Sequence, residues 1–291
     1  MAVQYERIKK TIAALAAYGT LPQGGTTRLS YTAEYLAAQA FLQREMLESG
    51  MLAEVDPIGN LIGTYVGREP ELTAVMSGSH LDTVPAGGNF DGALGIVAAL
   101  ECVRSWQEEG YRPKRTVRVI ATIEEECTAF GMACFGVRVR GGEFKKQQPE
   151  SIVHLTGGSL AECLQEAGLP HSALQDAAVG FQDLAAFVEL HIEQGAVLES
   201  EQKQIGIVDG IVGIVNYELT IQGSQNHAGT TSMSLRHDPV VAAAEFITES
   251  TRQMMAQAPS ATYLWRDTGI SVGSAECHCR SSESAHRSAR W

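Results

Sequence analysis

Several things are scarce in this 291-residue chain. The longest apolar runs, Ile12 to Tyr18, Ile96 to Leu100 and Val240 to Ala244, fall far short of the ~20 residues that cross a bilayer. Arg7, Lys9 and Lys10 precede the first run, but it is alanine-rich and at the short limit for the apolar core of a secretory leader. A cytoplasmic protein without membrane contact is therefore expected. Positive charge is also short: 22 Lys and Arg face 34 Asp and Glu, a net charge of −12. No basic block occurs, which excludes binding nucleic acid by neutralising phosphates. The six cysteines (Cys102, Cys127, Cys134, Cys163, Cys277 and Cys279) are too sparse for the disulfide framework of a small secreted domain. Free thiols are expected.

What remains is ordinary globular material, 44% hydrophobic and 19% charged, long enough to bury a large core. Helical spacing predicts helices over Val3 to Tyr18 and Thr32 to Ser49, the second capped by Ser30 or Thr32. β-type runs follow at 53–55, 60–66 and 72–77, then a helix over 91–109 and a strand over 115–123. A short helix at 159–167 and a strand at 185–192 continue the alternation. The βαβ order predicts an α/β fold, a mostly parallel sheet flanked by helices. From Ile205 the pattern changes: strands at 205–208, 214–221 and 269–272 surround a helix over 239–256 opened by Asp238. A smaller α+β lid or dimerisation domain is expected over 210–273, after a catalytic domain over 1–209.

Four clusters of acids and histidines stand at expected strand ends, where side chains of a parallel sheet face a crevice. In Gly78-Ser79-His80-Leu81-Asp82, the period of two puts His80 and Asp82 on one side, so the carboxylate could orient the imidazole while its other nitrogen takes a metal. His-x-Asp alone is weak. In Gly87-Gly88-Asn89-Phe90-Asp91-Gly92, Asp91 could be a helix cap or a carboxylate shared by two cations. Glu124-Glu125-Glu126 is either a solvated loop or a metal site in which one acid ligates and its neighbour acts as a base. His191-Ile192-Glu193-Gln194 completes the set. Together His80, Asp91, Glu126 and His191 make the N/O donor set that suits Zn²⁺, Mn²⁺ or Co²⁺, and no cysteine joins them at the spacing of a closed structural zinc site.

GSHLDTV, GGNFDG, the acidic run followed by Phe130-Gly131, HIEQGAVLE and NHAGTTSMSLRHDP occur in one order. That set resembles the M20-related amidases, and within them the hydantoinase/carbamoylase branch of N-carbamoyl-L-amino-acid hydrolases and allantoate amidohydrolases. The resemblance runs from about Gly24 to Gly273. It implies two divalent ions per subunit (zinc, manganese or cobalt) bridged by Asp91, with His80, Glu126 and His191 as further ligands. It implies that Glu125 is the general acid and base and that Asp82 orients His80. Gln194 then lies beside the substrate, and His227 stabilises the developing oxyanion in the active site of a homodimer partner. The expected reaction is metal-assisted hydrolysis of a linear amide or ureido C–N bond. NHAGTT leans towards allantoate, TRLSYTAE and MSLRHDP towards carbamoyl amino acids. Arg236 and His237 are expected to be solvated. The alternatives are an inactive remnant that still dimerises and an aminoacylase or dipeptidase of the same family; HIEQG argues against the latter, since those branches commonly have a carboxylate at the position of His191.

Departures from the family pattern are Cys127 and Ala129 after the acidic run, Gly136-Val137, and Ser232. The larger one is the tail, 274–291, where apolar periodicity ends and the family's return to the catalytic domain is missing. Codons chosen for Ala275 to Arg280 and shifted by one base read Gln-Asn-Val-Ile-Ala-Gly, close to a family motif. A frameshift near Gly273 is therefore expected to garble the tail and to weaken or abolish activity; the DNA sequence through that codon tests it. The rival reading is a small metal site of Cys277, His278, Cys279 and His286, whose spacing matches no zinc pattern.

Overall fold

A computed structural model describes residues 3–257, 262–271 and 276–287. The chain separates into two compact units, Met1–Gln194 and Gly195–Trp291. The break falls after Gln194, ahead of the 209/210 position that the sequence pattern suggests.

In the first unit the chain runs through α1 (Tyr5–Ala16), α2 (Ala33–Glu48), β1 (Leu52–Val55), β2 (Leu61–Tyr65), β3 (Ala74–His80), α3 (Ala93–Glu108), β4 (Val117–Thr122), α4 (Phe135–Arg140), α5 (Leu160–Glu166), α6 (Ala173–Asp176) and β5 (Leu184–Val188). Thr32 caps α2, its side chain accepting from the Tyr35 amide, and Ser159 with Glu162 forms a full capping box on α5. The sheet order is β1-β2-β4-β3-β5. β3 is parallel to both β4 and β5, while β2 runs against β1 and β4. Four of the five strands thus point one way: β3, β4 and β5 through the βαβ alternation, and β1 through two antiparallel pairings by way of β2.

Alternation along β2 and β4 feeds two apolar layers. Leu61, Tyr65, Val119 and Ala121 join the large core with Leu15 of α1, Leu42 and Met46 of α2 and Ile96 and Leu100 of α3. Ile62 and Ile120 turn to the other face with Met76. Arg7 and the Gln4 amide both bond the fully buried Glu101 carboxylate of α3, at 2.7 and 2.9 Å, which fixes α1 over the core. Leu100 is fully buried at the centre of this layer. Leu100→Ala is expected to lower stability by ~2–5 kcal/mol, read as a shift of the denaturant midpoint.

The second unit contains α7 (Val197–Ser200), β6 (Ile211–Gln222), α8 (Pro239–Gln257), β7 (Thr262–Ser271) and β8 (Glu276–Arg287). Asp238 opens α8, accepting from the Val240 amide at 3.0 Å. The three strands form an antiparallel sheet in the order β6-β8-β7. Two differences from the sequence pattern stand out. Residues 205–208, expected as a strand, form none, and Ile205, Ile207 and Val208 are exposed; an apolar run needs a neighbouring edge to become a strand. Conversely, the backbone of the tail pairs along β8 although its sequence has no apolar period, because main-chain groups alone make the ladder. The side chains of Cys277, His278, Cys279 and His286 lie outside the described residues.

Candidate metal centre

The three parallel strands leave their residues at one carboxyl edge. His80 ends β3 opposite Thr122 of β4, the acidic run follows β4, and His191 follows β5. Asp91 arrives from the glycine-rich loop before α3. The helix cap is Gly92 (φ 62°) rather than Asp91, and no side chain caps α3. The Asp91 carboxylate is therefore free of the capping role that the sequence left open.

His80 and His191 present matching atoms. His80 Nδ1 faces the Asp82 carbonyl at 2.8 Å and His191 Nδ1 the Ile192 carbonyl at 2.9 Å. Each contact suits Nδ1–H donating to an oxygen, which leaves the Nε2 lone pair outward. The two Nε2 atoms lie 3.5 Å apart, and Asp91 Oδ1 is 3.5 Å from one and 3.2 Å from the other. With both rings neutral in that tautomer, three electron-pair donors converge with no donor hydrogen between them. Asp91 Oδ1 and Glu126 Oε1 are buried and have no hydrogen-bond partner among the described residues. Ligand atoms of His80, Asp91 and His191, and separately of His80, Glu125 and Glu126, lie within 4.8 Å of one another. The residues present fit a divalent cation, and His80 belongs to both groups.

The Asp82 carboxylate does not touch the His80 ring; the Asp82 carbonyl takes that place. The carboxylate instead accepts from the amides of Glu125, at 3.2 and 3.0 Å, and Glu126, at 3.1 Å. It holds the acidic run rather than the imidazole. Period-two geometry gives the side of a strand and not which oxygen lies within reach.

Glu124 has a role that sequence reading missed. It is fully buried with φ 56°, and its carboxylate accepts from Ser30 at 2.7 Å and from the amides of Ala129 and Phe130 at 2.8 Å each. It folds the following loop back and leaves Glu125 and Glu126 pointing into the site. Three adjacent acids could have signalled this, since their side chains cannot all share one cation. Gln194 touches the centre, donating to Asp91 Oδ2 at 2.5 Å. Ser79, beside His80, donates to Glu189 at 2.5 Å, linking the ends of β3 and β5. His227 is exposed in the second unit, where its Nδ1 accepts from the Gly229 amide at 3.1 Å; Arg236 bonds the Ala228 and Thr231 carbonyls of its own loop.

Burial raises the Glu126 carboxyl to about 7; Asp91, Glu125 and Asp82 add to the rise, and His80 opposes it. Burial alone would lower the His80 imidazole, but Asp82, Glu125 and Glu126 outweigh that and raise it. Both groups therefore hold protons more tightly folded than unfolded. Their stabilising protons are bound below the unfolded values and are lost as pH rises through the folded ones. The metal-free protein is accordingly expected to lose thermal stability as pH climbs from the ordinary carboxylate range through about 7. Added Zn²⁺ or Mn²⁺ should restore it while releasing protons, which calorimetry in buffers of different ionisation enthalpy measures.

The family profile described as peptidase family M20/M25/M40 matches residues 76–283. An N-carbamoyl-L-amino acid amidohydrolase of Geobacillus stearothermophilus is 42% identical over 245 residues, 84% of this chain and 60% of its own length. An allantoate amidohydrolase of Bacillus subtilis is 39% identical over 235 residues, covering 81% of this chain and 57% of its own. The chain thus spans about 60% of the length of these relatives. A hydantoinase/carbamoylase family amidase from Burkholderia ambifaria superposes with a TM-score of 0.83 at 28% identity, over 97% of this chain and 70% of that one.

Proposed function

Since the chain belongs to peptidase family M20/M25/M40, we propose that it is built to hydrolyse a linear ureido or amide C–N bond, with an N-carbamoyl-L-amino acid or allantoate as substrate and two divalent ions per subunit. The observation that carries the reading is the convergence of both histidine Nε2 atoms on Asp91 Oδ1 next to a second donor group that shares His80. Names carried by relatives supply the substrate class; the donor set supplies the means.

When bound, the cations supply Lewis acidity and lower the pKa of water. Everything else falls to the chain's own residues. Asp82, accepting from the Glu125 and Glu126 amides, sets where the two acids stand. Glu126, with His80, Asp91 and His191, would hold the ions. Glu125 takes a proton from the attacking water and returns it to the leaving nitrogen. Gln194, anchored on Asp91, lies where a substrate carbonyl or ureido group would pass. His227 meets the negative charge on the carbonyl oxygen from the partner subunit of a cytoplasmic homodimer.

The test is direct. The purified chain, loaded in turn with Zn²⁺, Mn²⁺ and Co²⁺, is offered N-carbamoyl-L-amino acids, allantoate, N-acyl amino acids and dipeptides, with metal content and oligomeric state measured alongside. Ammonia release from the ureido substrates upholds the proposal. Cleavage confined to acyl amino acids or dipeptides transfers the chain to the aminoacylase side of the family. Metal binding without turnover of any of them identifies a remnant and overturns the activity.

A further inference from the structure

Loop residues behind the candidate base carry an assignment of their own. Glu125 is held through its main chain on both sides: its amide donates to the Asp82 carboxylate, and its carbonyl accepts from the Cys134 amide at 3.1 Å. The next two amides continue this contact, Phe135 to the Glu124 carbonyl at 2.8 Å and Gly136 to the Ile123 carbonyl at 3.0 Å. Residues 134–136 therefore run against 123–125 with three consecutive bonds. Cys134 sits in the left-handed region (φ 53°), a conformation a non-glycine residue keeps only where its surroundings impose it. From this clamped position its sulfur lies 3.4 Å from Glu125 Oε1. No other hydrogen-bond donor reaches the Glu125 carboxylate among the described residues.

We infer that Cys134 is a positioning residue for Glu125, its thiol donating to one carboxylate oxygen and fixing the plane of the base. The inference rests on the reading of Glu125 as the group that moves the proton. A thiol suits the task. An arginine or lysine in the same place would stabilise the carboxylate and reduce its proton affinity, whereas S–H is a weak neutral donor that orients the base and leaves it basic. Burial, then the charge of Glu125, pushes the Cys134 thiol up to about 12, so it keeps the proton it donates. Half-buried Cys127 lies on the carbonyl side of Glu125, 4.0 Å from that oxygen, and does not compete for the carboxylate.

Infrared spectroscopy of the metal-free full chain tests the contact without any turnover. The S–H stretching band removed by Cys134→Ala should lie at lower frequency than that of a free thiol, and Glu125→Ala should return it to the free position. A band at the free position in the parent, unmoved by Glu125→Ala, overturns the assignment. If Cys134→Ala fails to fold, the parent-minus-Glu125→Ala difference spectrum gives the same answer with the cysteine in place. Where the chain turns over a ureido substrate, Cys134→Ala should lose about tenfold in kcat at unchanged KM, and Cys134→Ser should regain most of it. Equal kcat in the alanine variant sinks the role. Absence of turnover in every protein, parent included, counts against the functional proposal, and the infrared result then decides this one.

Discussion

Asp91→Ala is expected to weaken divalent-metal binding at least ~100-fold, beyond the loss typical for outer-sphere partners of a ligand, while leaving the fold intact. The two halves of that expectation come from different observations. Asp91 Oδ1 is the atom on which both Nε2 nitrogens converge, so its removal leaves two facing imidazoles with no shared anion to offset a dication. The fold should not suffer, because Gly92 and not Asp91 stands at the cap of α3. Removing an oxygen that is buried without a partner also relieves an unmet desolvation cost. Metal content after dialysis measures the first half and thermal unfolding of the metal-free variant the second. An alanine variant that retains stoichiometric metal would show that the ion is held elsewhere.

The second large effect concerns a residue with no side chain. Gly92→Ala is expected to cost at least ~3 kcal/mol and to disorganise the centre at the same time. Gly92 has φ 62°, and a Cβ there would lie 2.6 Å from atoms of the His80 ring and overlap the His80 carbonyl. Neither can yield: His80 is 2% exposed, and its ring is tied to the Asp82 carbonyl. Relief would have to come from turning the imidazole out of the site or unwinding the first turn of α3. The variant should melt earlier and show altered imidazole NMR resonances for His80. Parent-like melting and resonances would mean that the loop is looser than its geometry implies.

Much of this was legible in the residues, for identifiable reasons. The strands of the first unit and their mostly parallel sense follow from apolar runs of the right length and from the strand-to-helix alternation, and the strand-end rule placed His80, the acidic run and His191 at one edge; the order β1-β2-β4-β3-β5 was not legible. What stayed hidden was the division of labour inside each motif. Glu124, Glu125 and Glu126 are the same residue three times; only the left-handed turn at Glu124 and the amides of Ala129 and Phe130 decide which acid is buried as a support. Asp82 lies past the end of β3, and its carboxylate has a different partner, the amides of Glu125 and Glu126. Residues 205–208 have strand composition and no strand, because pairing depends on a neighbour that no local pattern encodes.

The position of β5 has a dynamic consequence. Among the described residues it pairs on one edge alone, with β3, and Phe187 and Val188 are 48% and 59% exposed. Strands of that kind open locally at far lower free energy than the core, yet His191 hangs from the end of this one. A cation gripping His191 together with His80 and Asp91 would act as a clasp, raising the protection of β5 amides against solvent exchange by whatever free energy the ion gains on binding. This exposed edge strand would then take rigidity from the supply of metal, and metal depletion would loosen it.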